Sequence, residues 1–494
     1  YNMGVTFILE YFMKLIQTYP QNNAKNICID TEIALFFDVK PTLNNSGLLR
    51  VYDYQTDELI DCLDLSIPNG PVEPRKNPSA DYLHTFYKYG SSKITNRTTV
   101  AGTPSADYER VNENFQLTII GGFSDGFHFY PAYIKDNAVF FQLHHNLLEY
   151  GRKYYILADE DIADGFIGIN DKNAWTFTTK SAISLSDGKI TVAKNGKGDF
   201  ETVQGAIDAI PDHLDKSSPY VIHVKNGDYR ELVYFRNKDY ITIIGENVDD
   251  VVIHYANNEI FNPHPDLIKT NEKRGTFPSR RAAFAIDNCT HIILKNLTVK
   301  NDAHGQAEGL LINGKCNYFE NVRIIGSGDA LQTNGSAYFN NCVIDGEGDT
   351  VLGRGPAFFY KTVLNSFNAF MWIRNTKENH GNVFVECVFN GKNNNAVIAR
   401  LPNNNGFQYP NAECVLIDCE LNNIPPIGFY PIDDDALTAT LCEYNSHDKN
   451  GKPLDMSSRH RCVKILTYDN DREFIENYKN YKFVLGKDYD LDIE

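Results

Sequence analysis

Two aspartates stand twenty residues apart in matching surroundings, Asp329 in Gly326-Ser327-Gly328-Asp329-Ala330-Leu331 and Asp349 in Gly346-Glu347-Gly348-Asp349-Thr350-Val351. Each ends a glycine-rich turn ahead of an apolar run. In a chain that coils with that period, the two sit on neighbouring turns about 5 Å apart along the stack. Two carboxyls that close do not both ionise comfortably. One keeps a proton near neutral pH while the other stays anionic, the division of labour that an acid and a nucleophile need. The plain alternative is that both are turn residues, since Gly-Asp suits tight turns. Gln306, in His304-Gly305-Gln306-Ala307-Glu308, lies one repeat before Asp329, and Arg400, in Ile398-Ala399-Arg400, lies beyond the later coils. A neutral amide donor suits an oxyanion, and a guanidinium suits holding a carboxylate in its charged form.

The elements that would position these groups follow from an internal repeat, a large apolar residue three before a small or β-branched one. It runs Leu294/Leu297, Phe319/Val322, Phe339/Cys342, Phe359/Thr362, Phe384/Cys387 and Leu416/Cys419, at intervals of 25, 20, 20, 25 and 32 residues. Such intervals fit coils of three short strands with loops of varying length, and predict a right-handed parallel β-helix. Equivalent positions then stack into inward ladders, which makes Cys342, Cys387 and Cys419 a buried thiol column rather than a reactive site. Residues 200–210 place Val203, Ala206, Ile207 and Ile210 at helical spacing, stopped by Pro211. This short helix is expected to cap the open end of the coil.

Ahead of the coil, residues 14–180 read as short alternating strands: 32–37, 48–52, 115–120, 139–143, 153–157 and 175–179. That series predicts an antiparallel β-sandwich, with 181–188 as a small, polar linker. Two domains follow, 14–180 and 189–494. The chain has 494 residues, is rich in Tyr and Phe (29 and 30) and only 22% charged, a composition that favours β structure over long helices or disorder. Its net charge of −17 argues against nucleic acid as a partner. No run reaches the length of a membrane span, and residues 4–13 are broken by Glu10, so that stretch reads as an export-signal remnant or a tag scar. The ten cysteines form no CxxC pair and no zinc-like spacing. No metal or other cofactor is expected, and the chain is expected to be a monomer.

Across about residues 190–445 the sequence resembles the pectin methylesterase (pectinesterase) family. The resemblance rests on Gly196-Lys197-Gly198-Asp199-Phe200-Glu201-Thr202-Val203-Gln204, on Gly227-Asp228-Tyr229-Arg230-Glu231 and on Ile241-Thr242-Ile243-Ile244-Gly245-Glu246. Carried over by position, Gln306 matches the glutamine of the family's Gln-Ala segment and Asp329 the aspartate of Gln-Asp-Thr. Asp349 matches the aspartate of Val-Asp-Phe-Ile-Phe-Gly, and Arg400 the arginine of Leu-Gly-Arg-Pro-Trp. The resemblance implies an ester hydrolase acting on methylated polygalacturonate outside the cytoplasm, at the cell surface, in the periplasm or secreted. Asp349 is then the nucleophile, Asp329 the acid that protonates departing methanol, Gln306 the oxyanion donor and Arg400 the group that orients Asp349. Residues 14–180 similarly resemble the bacterial Ig-like modules that precede catalytic domains, through 28–33 and 175–179.

The sequence departs from the family at three points. Gly328 stands where a second oxyanion glutamine is usual, Asn403 where a sugar-stacking tryptophan is usual, and Thr350 where a phenylalanine is usual. Gln332 is three residues past Asp329, which along a strand points it to the opposite face and makes it a poor replacement donor. Trp372, Arg374 and Arg354 are the candidates for rebuilding sugar contacts. An acidic surface would favour the esterified polymer over its product. Two other readings stay open. A pectin depolymerase on a similar coil would need Asp-Asp and Gly-His-Gly segments, of which only 379–382 comes near; a catalytically silent carbohydrate-binding coil would need no intact acid pair. After the last coil, the tail from Pro431, with helical character at 472–478, is expected to pack along the outside.

Overall fold

The computed structural model describes residues 13–72, 115–123, 126–262, 279–400, 409–429, 439–487 and 489. The stretch read as an export-signal remnant or tag scar up to residue 12, most of the sequence between the expected strands at 48–52 and 115–120, and Asn403 lie outside the described residues. The chain divides into two compact units. The first runs to Ser184 and takes in Asn195–Glu201; the second holds the other described residues from Leu185 on.

In the first unit, one sheet is ordered Leu15–Tyr19, Ile33–Phe37, Ala138–Phe141, Ala132–Lys135, all antiparallel. The second is ordered Ala24–Ile27, Thr176–Thr179, Lys153–Ala158, Leu48–Asp53, Leu59–Asp64, with its first pair parallel. Alternation puts Leu35, Val51, Val139, Ile156 and Phe177 into one shared core around Trp175, whose indole donates to Pro20 O at 2.8 Å. Of the stretch expected at 115–120, only Leu117–Thr118 is strand.

The second unit is a parallel β-helix in which strands pair with their equivalents one coil ahead. One column stacks Leu310–Lys315, Leu331–Thr333, Val351–Gly353, Met371–Ile373 and Ala399–Arg400. A second stacks Asn317–Ile325 with Ala337–Asn340, Ala357–Tyr360, Asn382–Val385, Glu413–Ile417 and Thr440–Tyr444. The third includes Val343–Asp345, Val363–Ser366, Val388–Gly391 and Glu420–Asn422. Inside, the rings of Phe319, Phe339, Phe359 and Phe384 stack with centroids 4.8, 4.8 and 4.5 Å apart.

Local backbone geometry accounts for the three-residue repeat. Between each pair lies one residue in the left-handed region: Asn296, Asn321, Asn341, Lys361, Glu386 and Asp418, with φ between 50 and 56°. That corner breaks the strand alternation, so both members of each pair point inward, and Asn is the non-glycine residue that tolerates it best. Cys342, Cys387 and Cys419 are buried, with Thr362 between the first two coils, and each thiol donates to a carbonyl. Burial pushes all three thiols up, away from the reactive thiolate. All ten cysteines are free.

The helix Val203–Asp208 is buried along its whole length. Its exposed N–H groups are met by Thr202, which accepts from Gly205, and by Glu231, which accepts from Val203 and Gln204 at 2.8 and 2.9 Å. After the last coil Tyr468–Lys479 and Tyr481–Leu485 lay Ile475, Tyr478, Val484 and Leu485 along the flank, on the outward Tyr318, Tyr338, Phe358, Val383 and Val415 of the second column.

Candidate active site

The first column carries the candidate site. Its residues Leu310, Leu331, Val351, Met371 and Ala399 are fully buried. The alternating register partners Leu311, Gln332, Leu352, Trp372 and Arg400 therefore form one outward ladder. Asp329 and Asp349 each stand two residues before the partners Leu331 and Val351. They occupy equivalent turns on consecutive coils, about one strand spacing, 4.8 Å, apart.

The two carboxyls have opposite surroundings. Asp329 is only 8% exposed, and its carboxyl is pushed up to about 7, first by burial, then by Glu308 and Asp349, with Arg281 and Arg374 opposing. Asp349 takes a left-handed turn conformation, φ 46°, and Arg400 grips both of its oxygens, Nε to Oδ1 at 2.7 Å and Nη2 to Oδ2. Two parallel N–H donors on one carboxylate fix its plane as well as its charge.

Sequence reasoning missed the group that ties this face together. Arg281 donates from Nε to both oxygens of Glu308 at 2.7 and 2.8 Å, from Nη2 to Asp329 Oδ2 at 2.7 Å, and from Nη1 to Gln306 Oε1 at 2.7 Å. Glu308 is fully buried. Burial raises its carboxyl while Arg281 opposes. Burial by itself would lower the Arg281 guanidinium, but Glu308, Asp329 and Glu259 outweigh it and raise it. An arginine only donates, so Gln306 turns its carbonyl to Arg281 and its NH2 away, free to donate. The usable signal was Glu308 itself, a charge between Ala307 and a buried apolar strand, where an unpaired carboxylate would be too costly.

Gln332 belongs to the same outward ladder as Trp372 and Arg400, which corrects the expectation that it faces away. Asp329 sits in a turn, so strand alternation does not extend back to it. Gln332 is 7% exposed and its Oε1 has no hydrogen-bond partner. Gly328 has φ +68°, and a Cβ there would meet Gly305 O at 2.4 Å. The backbone at that position has closed over the space a glutamine would use. Thr350 is buried and donates to Ser366 Oγ at 2.8 Å.

Trp372 is covered by two cations, with Arg374 Cζ 4.2 Å and Arg400 Cζ 4.3 Å from its ring centroid. Arg374 is 8% exposed, and burial, then Arg354, lower its guanidinium to about 10. Arg354 is exposed. Gly353 and Ile373 are register partners, so Arg354 and Arg374, the next residues, leave consecutive coils side by side. The structure thus brings Asp329, Asp349, Gln306, Arg400, Trp372 and Arg374 onto one face. Among the described residues, no group of His, Cys, Asp and Glu is arranged to hold a metal ion.

A family model described as Pectinesterase matches residues 189–487. Pectinesterase QRT1 of Arabidopsis thaliana is 33% identical over 181 residues, 34% of this chain and 45% of that protein. Putative pectinesterase 11 of the same plant is 39% identical over 79 residues, 16% of this chain and 22% of that protein. The chain thus spans less than half the length of these curated relatives. Among solved structures, a pectin methylesterase from Aspergillus niger aligns with TM-score 0.49 at 20% identity, covering 63% of this chain and 97% of that one. A pectin methylesterase from carrot aligns with TM-score 0.47 at 22% identity, covering 56% and 88%.

Proposed function

Since this chain belongs to the pectinesterase family, we propose that it hydrolyses the methyl esters of methylated homogalacturonan, releasing methanol and leaving free carboxylates on the polymer. One observation carries the reading: two aspartates on consecutive coils, one held as a carboxylate in the fork of Arg400 and one buried and raised to about 7.

In this mechanism an Asp349 oxygen attacks the ester carbonyl carbon. The carbonyl oxygen becomes an oxyanion, met by the Gln306 amide that Arg281 orients. As the intermediate collapses, Asp329 gives its proton to the methoxyl oxygen, methanol leaves, and an anhydride joins Asp349 to the sugar acid. Asp329, now anionic, takes a proton from water, whose oxygen attacks the anhydride carbonyl; galacturonate leaves and Asp349 is restored. Both halves need one proton to shuttle through Asp329, and a group titrating near neutrality does so with the least mismatch. Arg281 keeps that group in place without fully ionising it.

Acting on a cell-wall polymer implies a place of action outside the cytoplasm; among the described residues no helix is long and apolar enough to cross a membrane. For the first unit we infer an Ig-like module, on its two largely antiparallel sheets around Trp175. The test of the enzyme reading is methanol release from methyl-esterified homogalacturonan by the wild type beside Asp349→Ala and Asp329→Ala. Loss in both variants, with the fold retained, supports the mechanism. Full activity in Asp349→Ala removes it as nucleophile, and reducing ends or unsaturated products without methanol would make the protein a depolymerase.

A further inference from the structure

Building on that esterase reading, we propose that Gln332 positions the water that hydrolyses the anhydride, its Oε1 accepting the water proton that Asp329 does not take. The argument begins with an acceptor that the fold leaves unused. Gln332 is more than nine-tenths buried, and its Oε1 has no hydrogen-bond partner. A buried amide oxygen in that state is costly. Its register partners on the outward ladder are Leu311 and Leu352, both buried, and neither can satisfy it. A leucine at this position would continue the apolar row without that cost.

Asp329, the base of this step, keeps one oxygen open. Arg281 Nη2 donates to Oδ2, and among the described residues no other hydrogen-bond donor meets the carboxyl. At most about 11 Å of backbone separates Asp329 from Gln332. Their two side chains, with two hydrogen bonds of about 2.8 Å to a single water, span that gap. The water oxygen bonds to the carbonyl carbon of the sugar acid, one proton passes to Asp329, and the bond from that carbon to the Asp349 oxygen breaks, restoring the Asp349 carboxylate. The second proton stays on the water oxygen, which becomes the hydroxyl of the new carboxylic acid, and it needs an acceptor while the attack proceeds. The other polar side chains gathered on this face, Arg281, Arg374, Arg400 and the NH2 of Gln306, only donate. Asp349 is acylated at that moment, so Gln332 Oε1 is the acceptor left. No water enters the first half of the reaction, which therefore does not call on it.

Methanol leaves before water attacks, so rapid-quench measurement of methanol release from a methyl-esterified galacturonate oligomer separates the two halves. In Gln332→Leu the first equivalent of methanol per enzyme should appear at the wild-type rate, and steady-state release should then fall about 10- to 100-fold as the anhydride accumulates. Hydroxylamine attacks the anhydride through its nitrogen, and it should restore turnover in the variant more than in wild type. The urea midpoint of Gln332→Leu should equal or exceed that of wild type, because an unpartnered buried amide gives way to an apolar side chain. Gln332→Met, unbranched and lacking the acceptor, repeats the kinetic test should leucine not fit. A first turnover slowed as much as later ones, an unchanged steady state, or a raised KM with kcat intact overturns the assignment and leaves the esterase standing. Absence of methanol release by the wild type overturns the esterase reading, and the role of Gln332 with it.

Discussion

Arg281 Nη2 and Asp329 Oδ2 are joined by a 2.7 Å hydrogen bond, and the same guanidinium is anchored from behind by the buried carboxylate of Glu308. Asp329 therefore lies between a cation that favours its ionised form and an anion that opposes it. Glu308 raises its titration and Arg281 lowers it. An acid that must be protonated to release methanol loses activity as pH rises through about 7. In Glu308→Gln the opposing charge is gone and Arg281 keeps Asp329 and Glu259 as its acidic partners. The alkaline limb of the kcat/KM profile should move to lower pH; a limb that stays put or moves up would show that Asp329 is not the acid.

The same raised carboxyl weakens the fold as pH rises. Its folded value of about 7 exceeds the 3.8 of an ordinary aspartate, so the folded state binds the proton more tightly than the unfolded state. Stability from this group is complete below the unfolded value and is lost as pH climbs through the folded one. Asp329→Asn should therefore stabilise the protein, little near pH 4 and by on the order of 2–4 kcal/mol at pH 8. Urea unfolding at both pH values reads the difference. An equal effect at the two would mean that Asp329 titrates normally.

Restoring glutamine at position 328 should harm the enzyme rather than improve it. The left-handed backbone there costs a side chain about 1–2 kcal/mol, and its Cβ would lie 2.4 Å from Gly305 O, next to the turn that carries Gln306. We expect Gly328→Gln to unfold at lower denaturant concentration and to turn over more slowly than wild type. Faster methanol release by that variant would show that the turn can reopen.

The coil and the acid pair were legible because both are periodic. A twenty-residue spacing carries Phe339 to Phe359 and Asp329 to Asp349 alike, and stacking of whole coils needs nothing more. Arg281 was not legible, since it meets Glu308 across 27 residues and Asp329 across 48 with no period to mark it. Gln332 was assigned to the wrong face because alternation holds only within a strand, and Gly328 turns the chain just before one. The left-handed corners at Asn321, Asn341 and Lys361 explain why the repeat has a spacing of three, yet only the asparagines among them hint at it in the sequence. Trp372 and Arg374 are read together as candidates for sugar contacts, and Arg374 does cover the ring; Arg400, which covers it too, is too distant in sequence to be read as its neighbour.

Arg400→Lys should separate charge from geometry at the nucleophile. Lysine keeps one positive charge but presents it as a point, whereas Arg400 meets both oxygens of Asp349 in one plane and rests against Trp372. A carboxylate held by a single flexible contact can rotate out of line with the ester carbon, and a small misplacement of a nucleophile costs about a hundredfold in rate. We expect kcat to fall by about 10- to 100-fold while KM changes little, because the lost interaction fixes the reacting oxygen rather than the sugar. Circular dichroism should remain unchanged, since Arg400 is partly exposed at the end of its strand. A variant with wild-type kcat and a raised KM would instead make Arg400 a substrate-binding group, and would leave Asp349 in need of another partner to hold it.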